Sequence, residues 1–175
     1  ALRPLVAVFI PSTSPYEYAR TFQDAHRRWL AERVVPFVDR RFRTLPEAKA
    51  RALFGVDEAG FAVVDAALRF PNVFGDVVGQ SVFPVGKGPE ELLALVEKAP
   101  RADVRFYLDW GRYDPRRKSD LLDVPSFSRT LAERLRARGY AVESKEWPDG
   151  SALAFWGARV MPGLRAIFPA GGGGR

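Results

Sequence analysis

The sequence predicts a three-layer αβα fold around a mostly parallel β-sheet. Apolar runs alternate with amphipathic segments along the whole chain, which is typical of successive βαβ units. One run, Leu5–Ile10, is apolar throughout, as expected of a strand buried on both faces. The length of 175 residues, with 47% hydrophobic residues, indicates a single domain. We expect that domain to span residues 1–168 and to be followed by a flexible, Gly-rich tail at 169–175.

The first third of the chain predicts one strand and one long helical region. The strand is Leu5–Ile10, and the Pro- and Ser-rich residues 11–15 end it. From about Tyr16 to Phe42, apolar residues recur at helical spacing with charged residues between them. Pro36 lies inside this region and predicts a break or a kink.

The middle third predicts two strands, each followed by a helix. Ala48–Phe54 is a short candidate strand, and the Ala-, Val- and Leu-rich segment Glu58–Phe70 is a helix that Pro71 ends. Phe74–Val82 is the next strand. Pro89–Lys98 is a helix with proline in its first turn, where the missing N–H costs nothing.

The strand Val104–Leu108 opens the last third of the chain. Ser126 or Ser128 is predicted to cap the next helix, which runs through Arg138. A glycine follows at position 139, where a helix commonly stops.

The final strand and the final helix complete the alternation. Ala141–Trp147 is the strand, and Ala152–Phe168 is an amphipathic helix that Pro162 could interrupt. Five strands and five helical segments in strict alternation therefore support the three-layer fold.

Composition excludes several classes of function. The net charge of +6 comes mostly from arginines that are interleaved with acids along helices, which favours solvated faces over a nucleic-acid site. No apolar run approaches the length of a membrane span. Because the chain has no cysteine and one histidine, we expect no disulfide, no metal and no other cofactor. The Arg- and Pro-rich, Cys-free composition predicts a cytoplasmic, thermostable protein.

The motif with most chemical content is Gly55–Gly60, with the sequence GVDEAG. It lies between a short apolar run and an apolar helix, and it has the outline of the G-x-S-x-G nucleophile elbow. Asp57 occupies the position of the serine, and Ala59 occupies the position of the second glycine. The turn is kept and the nucleophile is not, so fold and function have to be argued separately.

Four blocks of sequence resemble the enterochelin (enterobactin) esterase family of α/β-hydrolases, a branch near the esterase D group. The resemblance runs from Leu5 to Phe168, and it implies an α/β-hydrolase fold and carboxylic ester hydrolysis. In block order, the segments that carry it are Phe37–Gly55, Ala66–Ser81, Arg105–Pro115 and Pro148–Phe168.

The resemblance also implies which positions would form the catalytic triad. The nucleophile position is Asp57, the acid position is Asp114, and alignment on Trp156 puts the histidine position at Ser151. Only the acid is retained. Acyl transfer at a serine needs a base within hydrogen-bond reach of the hydroxyl, and neither group is present at its expected place.

Three hypotheses follow from these substitutions. The leading one is an esterase-family homologue without serine-hydrolase activity. The second is a non-catalytic protein that binds a small ester-like ligand or another subunit. The third is a hydrolase that uses Asp57 as nucleophile with an unidentified base. A structural interpretation of Asp57 and Glu58 is also open, because both acids lie near a helix N-terminus, where negative charge is favourable.

Side chains at the carboxyl ends of the strands are expected to line a remnant cleft, because α/β folds bind ligands there. The candidates are Glu58, Trp110, Tyr113 and Trp156. His26, the single histidine, lies upstream in the first helical region and is interpreted as a surface residue.

The resemblance further implies that the N-terminal strands of the family are missing. The run Leu5–Ile10 corresponds to the fourth strand of the family, and one absent strand would separate it from the strand that enters the elbow. Unpaired sheet edges are then expected. The alternatives are that the chain is a fragment that lacks an N-terminal segment, that the sheet has closed up, or that a homo-oligomer supplies the edge.

Overall fold

The computed structural model describes residues 1–10, 24–83, 88–117 and 122–170. The strands are β1 (Ala52–Val56), β2 (Asp76–Gln80), β3 (Arg105–Gly111), β4 (Arg116–Arg117), β5 (Leu122–Asp123) and β6 (Ala141–Trp147). The helices are α1 (Asp24–Trp29), α2 (Val35–Arg41), α3 (Glu58–Arg69), α4 (Gly88–Lys98), α5 (Val124–Ala137) and α6 (Leu153–Ile167). A π-helical segment, Leu30–Val34, joins α1 to α2, and a 3₁₀ turn, Ala48–Ala50, precedes β1.

Four parallel strands form the sheet in the order β1-β2-β3-β6. All five residues of β2 are buried, as expected of a strand in the middle of a three-layer fold. Its successive residues Val77 and Val78 pack into different clusters, one with Phe106 and one with Ile167. Helix α6 packs against β2 and β3, opposite the cluster that includes Phe61 of α3 and Leu131 of α5. The predicted α/β fold with a mostly parallel sheet is confirmed.

The predicted strand Leu5–Ile10 is wrong. In the part of the chain that the structure describes, this run pairs with no strand, and its large apolar side chains are between 41% and 90% exposed. The residues before it are held instead at the end of α6, where Leu2 bridges Pro169 and the Arg3 N–H donates to the Phe168 carbonyl. An apolar run forms a buried strand only where a partner strand supplies hydrogen bonds, and no strand of the described residues lies paired beside this one.

Two prolines do not end their helices. The N–H of Val35 donates to the carbonyl of Leu30, five residues back, so the π-helical segment carries the helix across the region where Pro36 lacks a donor. Helix α6 likewise continues through Pro162 to Ile167. The helical conformation therefore continues through both prolines, and the predicted breaks are absent, while the alternative of a kink at Pro36 stays a prediction.

The residue that caps α5 is neither Ser126 nor Ser128, as predicted, but Asp123. The Asp123 side chain accepts the Ser126 N–H at 2.8 Å, so the cap lies one residue before Val124. Ser128 is buried inside the helix. The predicted stop is confirmed, since Gly139 has φ 80° just after the helix.

Three predicted segments lie wholly or partly outside the residues that the structure describes. Residues 11–15, the start of the first helical region and residues 171–175 lie outside them. The first two residues of the expected tail are held in place, because the Ala170 N–H donates to the Ala1 carbonyl and Pro169 bridges Leu2. Among the helices that are described, none has the length and apolar character needed to cross a membrane.

Candidate functional site

The turn between β1 and α3 holds Asp57 in a conformation that non-glycine residues rarely adopt. Its backbone has φ 60° and ψ −126°. Three backbone hydrogen bonds fix it there. The Asp57 N–H donates to the Gln80 carbonyl at 2.8 Å, and the Asp57 carbonyl accepts the N–H groups of Phe61 and Phe83. The carboxylate therefore stands on a tight strand-to-helix turn, as the motif predicts.

The glycines of this turn are required by close backbone approach. A Cβ atom at Gly55 would lie 2.2 Å from the Ala59 carbonyl oxygen, and one at Gly60 would lie 3.1 Å from the Gln80 carbonyl oxygen. Ala59, where the motif has glycine, is only partly buried and its methyl group is accommodated. The geometry of an elbow is thus retained with one glycine fewer.

The two other triad positions are in direct contact. Asp114 is buried in the turn after β3, and its Oδ2 accepts the Gly111 N–H at 2.7 Å. The Ser151 hydroxyl donates to Asp114 Oδ1, also at 2.7 Å. Ser151 therefore makes to this acid the contact that a histidine makes to the third residue of a triad. A serine hydroxyl cannot take up a proton near neutral pH as an imidazole does.

The surroundings of Asp57 make its carboxyl group harder to ionise than a free aspartate. Burial raises the pKa of Asp57 to about 6, the charges of Glu58 and Asp114 add to the rise, and the Glu58 backbone amide offsets part of it. Burial also raises the pKa of Glu58. The Asp57 side chain makes no capping hydrogen bond to the later amides of α3, so the structural interpretation rests on the favourable placement of its charge at the helix N-terminus.

An open cleft of about 590 Å³ lies beside Asp57. Its lining combines two carboxylates with mostly apolar groups, contributed by Val56, Asp57, Glu58, Leu153, Trp156, Gly157 and Val160. The Trp156 indole donates to the Ser81 hydroxyl at 3.0 Å, which fixes the ring. Ser81 has φ 47°, directly after β2. Sequence reasoning missed its contact with Trp156, although the resemblance block Ala66–Ser81 ends on it.

Two of the expected cleft residues lie elsewhere. Trp110 belongs to the main apolar core, because its ring is buried and its indole N–H donates to Glu146 Oε2 at 3.1 Å. Tyr113 is 72% exposed, and its backbone N–H donates to the Asp149 carbonyl. Glu58 and Trp156 do line the cleft. His26 is partly buried on α1, with its ring centroid 5.5 Å from that of Trp29.

A buried arginine ties α6 to the sheet and to the Ser151 loop. Arg159 Nη1 donates to Asp109 Oδ1 of β3 at 3.2 Å, and its Nη2 donates to the Gly150 carbonyl at 3.2 Å. Asp149 lies 3.5 Å from the same guanidinium. Burial raises the pKa of Asp109 to about 6, and the charge of Arg159 opposes that rise. Sequence reasoning missed this pair, because a lone arginine in an amphipathic helix is usually solvated.

No three carboxylate or histidine side chains cluster closely enough to hold a metal ion within the described residues. The chemistry available at this site is therefore that of two cleft carboxylates, one serine hydroxyl bonded to a third carboxylate, and a fixed indole.

Comparison with known proteins bears on the fold and the family. The sequence model of the Esterase family matches residues 11–167. Uncharacterized protein YjcH of Bacillus subtilis is 21% identical over 145 residues, which are 82% of this chain and 60% of that protein. The enterochelin esterase of Shigella flexneri superposes with a TM-score of 0.75 at 18% sequence identity. The match covers 89% of this chain and 40% of the esterase chain. S-formylglutathione hydrolase (FrmB) of Staphylococcus aureus superposes with a TM-score of 0.64 at 14% sequence identity. The match covers 86% of this chain and 61% of the hydrolase chain. The chain thus spans between 40% and 61% of the length of these proteins.

Proposed function

Because the chain belongs to the Esterase family and has an α/β-hydrolase fold, we propose that it is a homologue without serine-hydrolase activity that binds a small ester-like molecule beside Asp57. One observation carries the proposal. The elbow presents a carboxylate, and the acid that would orient a histidine is bonded to the Ser151 hydroxyl instead. A carboxylate is a poor nucleophile toward an ester carbonyl, because its attack would have to form an anhydride and expel the ester's alkoxide. The Ser151 hydroxyl, which is bonded to Asp114, is not basic enough to activate water.

The lining of the cleft supports a ligand with an apolar body and a hydrogen-bond donor. An apolar body fits against Val56, Leu153 and the fixed Trp156 ring. A hydrogen-bond donor on the ligand would meet the Asp57 carboxylate, whose pKa is raised by burial and by the negative charges of Glu58 and Asp114. A cytoplasmic location and heat stability, which composition predicts, are part of the same proposal, as is the absence of nucleic-acid and membrane partners.

Restoring the missing groups tests the proposal. We expect the protein to leave short-chain aryl esters unhydrolysed and to remain unlabelled by a fluorophosphonate probe. In the double variant Asp57→Ser/Ser151→His, an imidazole bonded to Asp114 would face a hydroxyl on the elbow, and we expect fluorophosphonate labelling at position 57. The matched control adds Asp114→Asn to that double variant, and labelling should fall at least about tenfold because the imidazole loses its orienting acid.

The result that would contradict the proposal is ester turnover by the unmodified protein that Asp57→Ala abolishes. A second candidate function, an Asp57 nucleophile that attacks an alkyl carbon, is favoured by the position of this carboxylate on the elbow. Intact-mass measurement after incubation with an alkyl halide or an epoxide separates the two. A covalent adduct on Asp57 that later hydrolyses would support the second function, and an unmodified Asp57 would support the first.

A further inference from the structure

Ser81, the residue directly after β2, has a backbone conformation that suits glycine better than serine. Its φ of 47° is positive, which glycine adopts without steric cost and a residue with a Cβ atom does not. Hydrogen bonds fix the backbone on both sides. The Ser81 N–H donates to the Asp109 carbonyl of β3 at 2.6 Å, and the carbonyl of the preceding Gln80 accepts the Asp57 N–H at 2.8 Å. A side chain that is kept at such a strained position is a candidate for a function of its own.

The Ser81 hydroxyl holds one of the groups that line the cleft. Its oxygen accepts the Trp156 indole N–H at 3.0 Å, and Trp156 lies in the first turn of α6. Only 1% of Ser81 is exposed, so the hydroxyl reaches the cleft through the indole and not directly. The consecutive residues Gln80 and Ser81 thus hold two parts of the cleft lining, the Asp57 turn and the Trp156 ring.

We propose that Ser81 is a positioning residue of the cleft: its hydroxyl holds the Trp156 indole as a fixed wall, and that wall selects ligands with an aromatic ring. The selectivity rests on the function proposed above and names the class of the ligand's apolar body. Among the described residues that line the cleft, Trp156 carries the aromatic group, and Val56, Leu153 and Val160 are aliphatic. An aromatic ring packed against another ring gains free energy beyond that of its buried area, and a ring that is already fixed loses less conformational freedom on binding.

The first test needs no ligand. Hydrogen exchange of the indole N–H groups, measured by NMR and assigned with Trp156→Phe, should show a protected Trp156 indole in the wild type. Ser81→Ala keeps the backbone strain and Ser81→Gly relieves it, but both remove the hydroxyl. In both variants the Trp156 indole N–H should therefore exchange at least about tenfold faster. The Trp110 indole, which donates to Glu146, is the internal control and should keep its exchange rate.

Two results of this exchange experiment would overturn the proposal. Protection of the Trp156 indole that survives in Ser81→Gly would show that the hydroxyl does not hold the ring. Equally faster exchange at Trp110 in both variants would give Ser81 a general role in the stability of the fold instead.

Ligand selectivity is the second test. Phenyl acetate and cyclohexyl acetate carry the same ester group on a six-membered ring and differ in aromaticity. In NMR titrations the wild type should bind phenyl acetate at least about threefold more tightly, and Ser81→Gly should lose most of that preference. The matched control is Ser126→Ala, which removes an exposed serine hydroxyl on α5 and should keep the preference. Equal affinity of the wild type for the two esters, or a preference that Ser81→Gly retains, would overturn the selectivity and leave the proposed function standing. Binding of neither ester would overturn the proposed function and the selectivity together.

Discussion

At the scale of single residues, Asp57 combines two unfavourable features. Its backbone lies at positive φ, where a side chain costs on the order of 1–3 kcal/mol. Its carboxylate is partly buried beside Glu58 and Asp114, which together with desolvation raises the pKa to about 6. Neither feature stabilises the fold, which is consistent with the role that we propose for Asp57 in the cleft.

The raised pKa of Asp57 predicts how stability depends on pH. The folded state holds the proton more tightly than the unfolded chain, whose value is near 3.8, so stability falls as pH rises from about 4 to about 6 and then levels off. Asp57→Asn keeps the shape without the charge. After allowance for solvent screening, it should raise the free energy of unfolding by about 1 kcal/mol at pH 7.5 and by nearly nothing below pH 4.

Urea unfolding across this pH range measures the effect. Glu133→Gln, at an exposed position on α5, is the matched control and should change stability little at any pH. A gain for Asp57→Asn that is equal at pH 4 and pH 7.5 would show that the charge is not its cause.

The position of Asp57 could be predicted from sequence, because G-x-D-x-A-G fixes the turn through close backbone approach at Gly55 and Gly60. The raised pKa could not be, since it depends on groups that only the fold brings near. Trp110 shows the same limit. Its place at the carboxyl end of a strand was predicted, but its burial in the main core and its hydrogen bond to Glu146 depend on residues far apart in sequence.

At the scale of elements, α6 depends on one buried charge. Arg159 links the helix to Asp109 of β3 and to the Gly150 carbonyl, one residue before Ser151. Breaking a buried ion pair by removing one partner leaves the other charge without compensation. The loop that carries Ser151 and the helix that carries Trp156 therefore share a support.

Arg159→Met should lower the free energy of unfolding by about 3 kcal/mol, because Asp109 stays buried without its cation. Arg165→Met removes an exposed arginine from the same helix and should cost little, which controls for helix propensity. Adding Asp109→Asn to Arg159→Met should recover part of the loss. Denaturant unfolding checks all three variants, and equal effects of the two arginine substitutions would contradict the role given to Arg159.

Hydrophobic pattern predicted the four strands of the main sheet and the helices between them, but it did not predict the two-residue strands β4 and β5 or the 3₁₀ turn at Ala48–Ala50. The strand Ala141–Trp147 and the helix that begins at Glu58 match their predictions closely. Leu5–Ile10 has an equally clear pattern and forms no strand, because a pattern records the tendency to be buried and not the presence of a neighbour.

At the scale of the whole molecule, the strands of the sheet differ in how many neighbours they have. Within the described residues, β2 and β3 have neighbours on both sides, whereas β1 pairs with β2 alone and Leu5–Ile10 pairs with no strand. Amide exchange should record this difference, because exchange of a strand amide slows when it is hydrogen-bonded in a stable ladder.

Hydrogen exchange resolved at single residues should therefore distinguish the two sides of β1. The Arg51 carbonyl and the Asp57 N–H both bond to β2, so the alternation of a parallel strand points the Phe54 and Val56 N–H groups away from β2, where none of the described residues pairs with β1. The amides of Phe54 and Val56 should exchange at least about tenfold faster than those of Leu53 and Gly55, which face β2 and serve as internal controls. Fast exchange at all four positions would indicate that β1 unfolds locally. Slow exchange of Phe54 and Val56 would contradict the prediction and indicate that another segment pairs with this edge in solution.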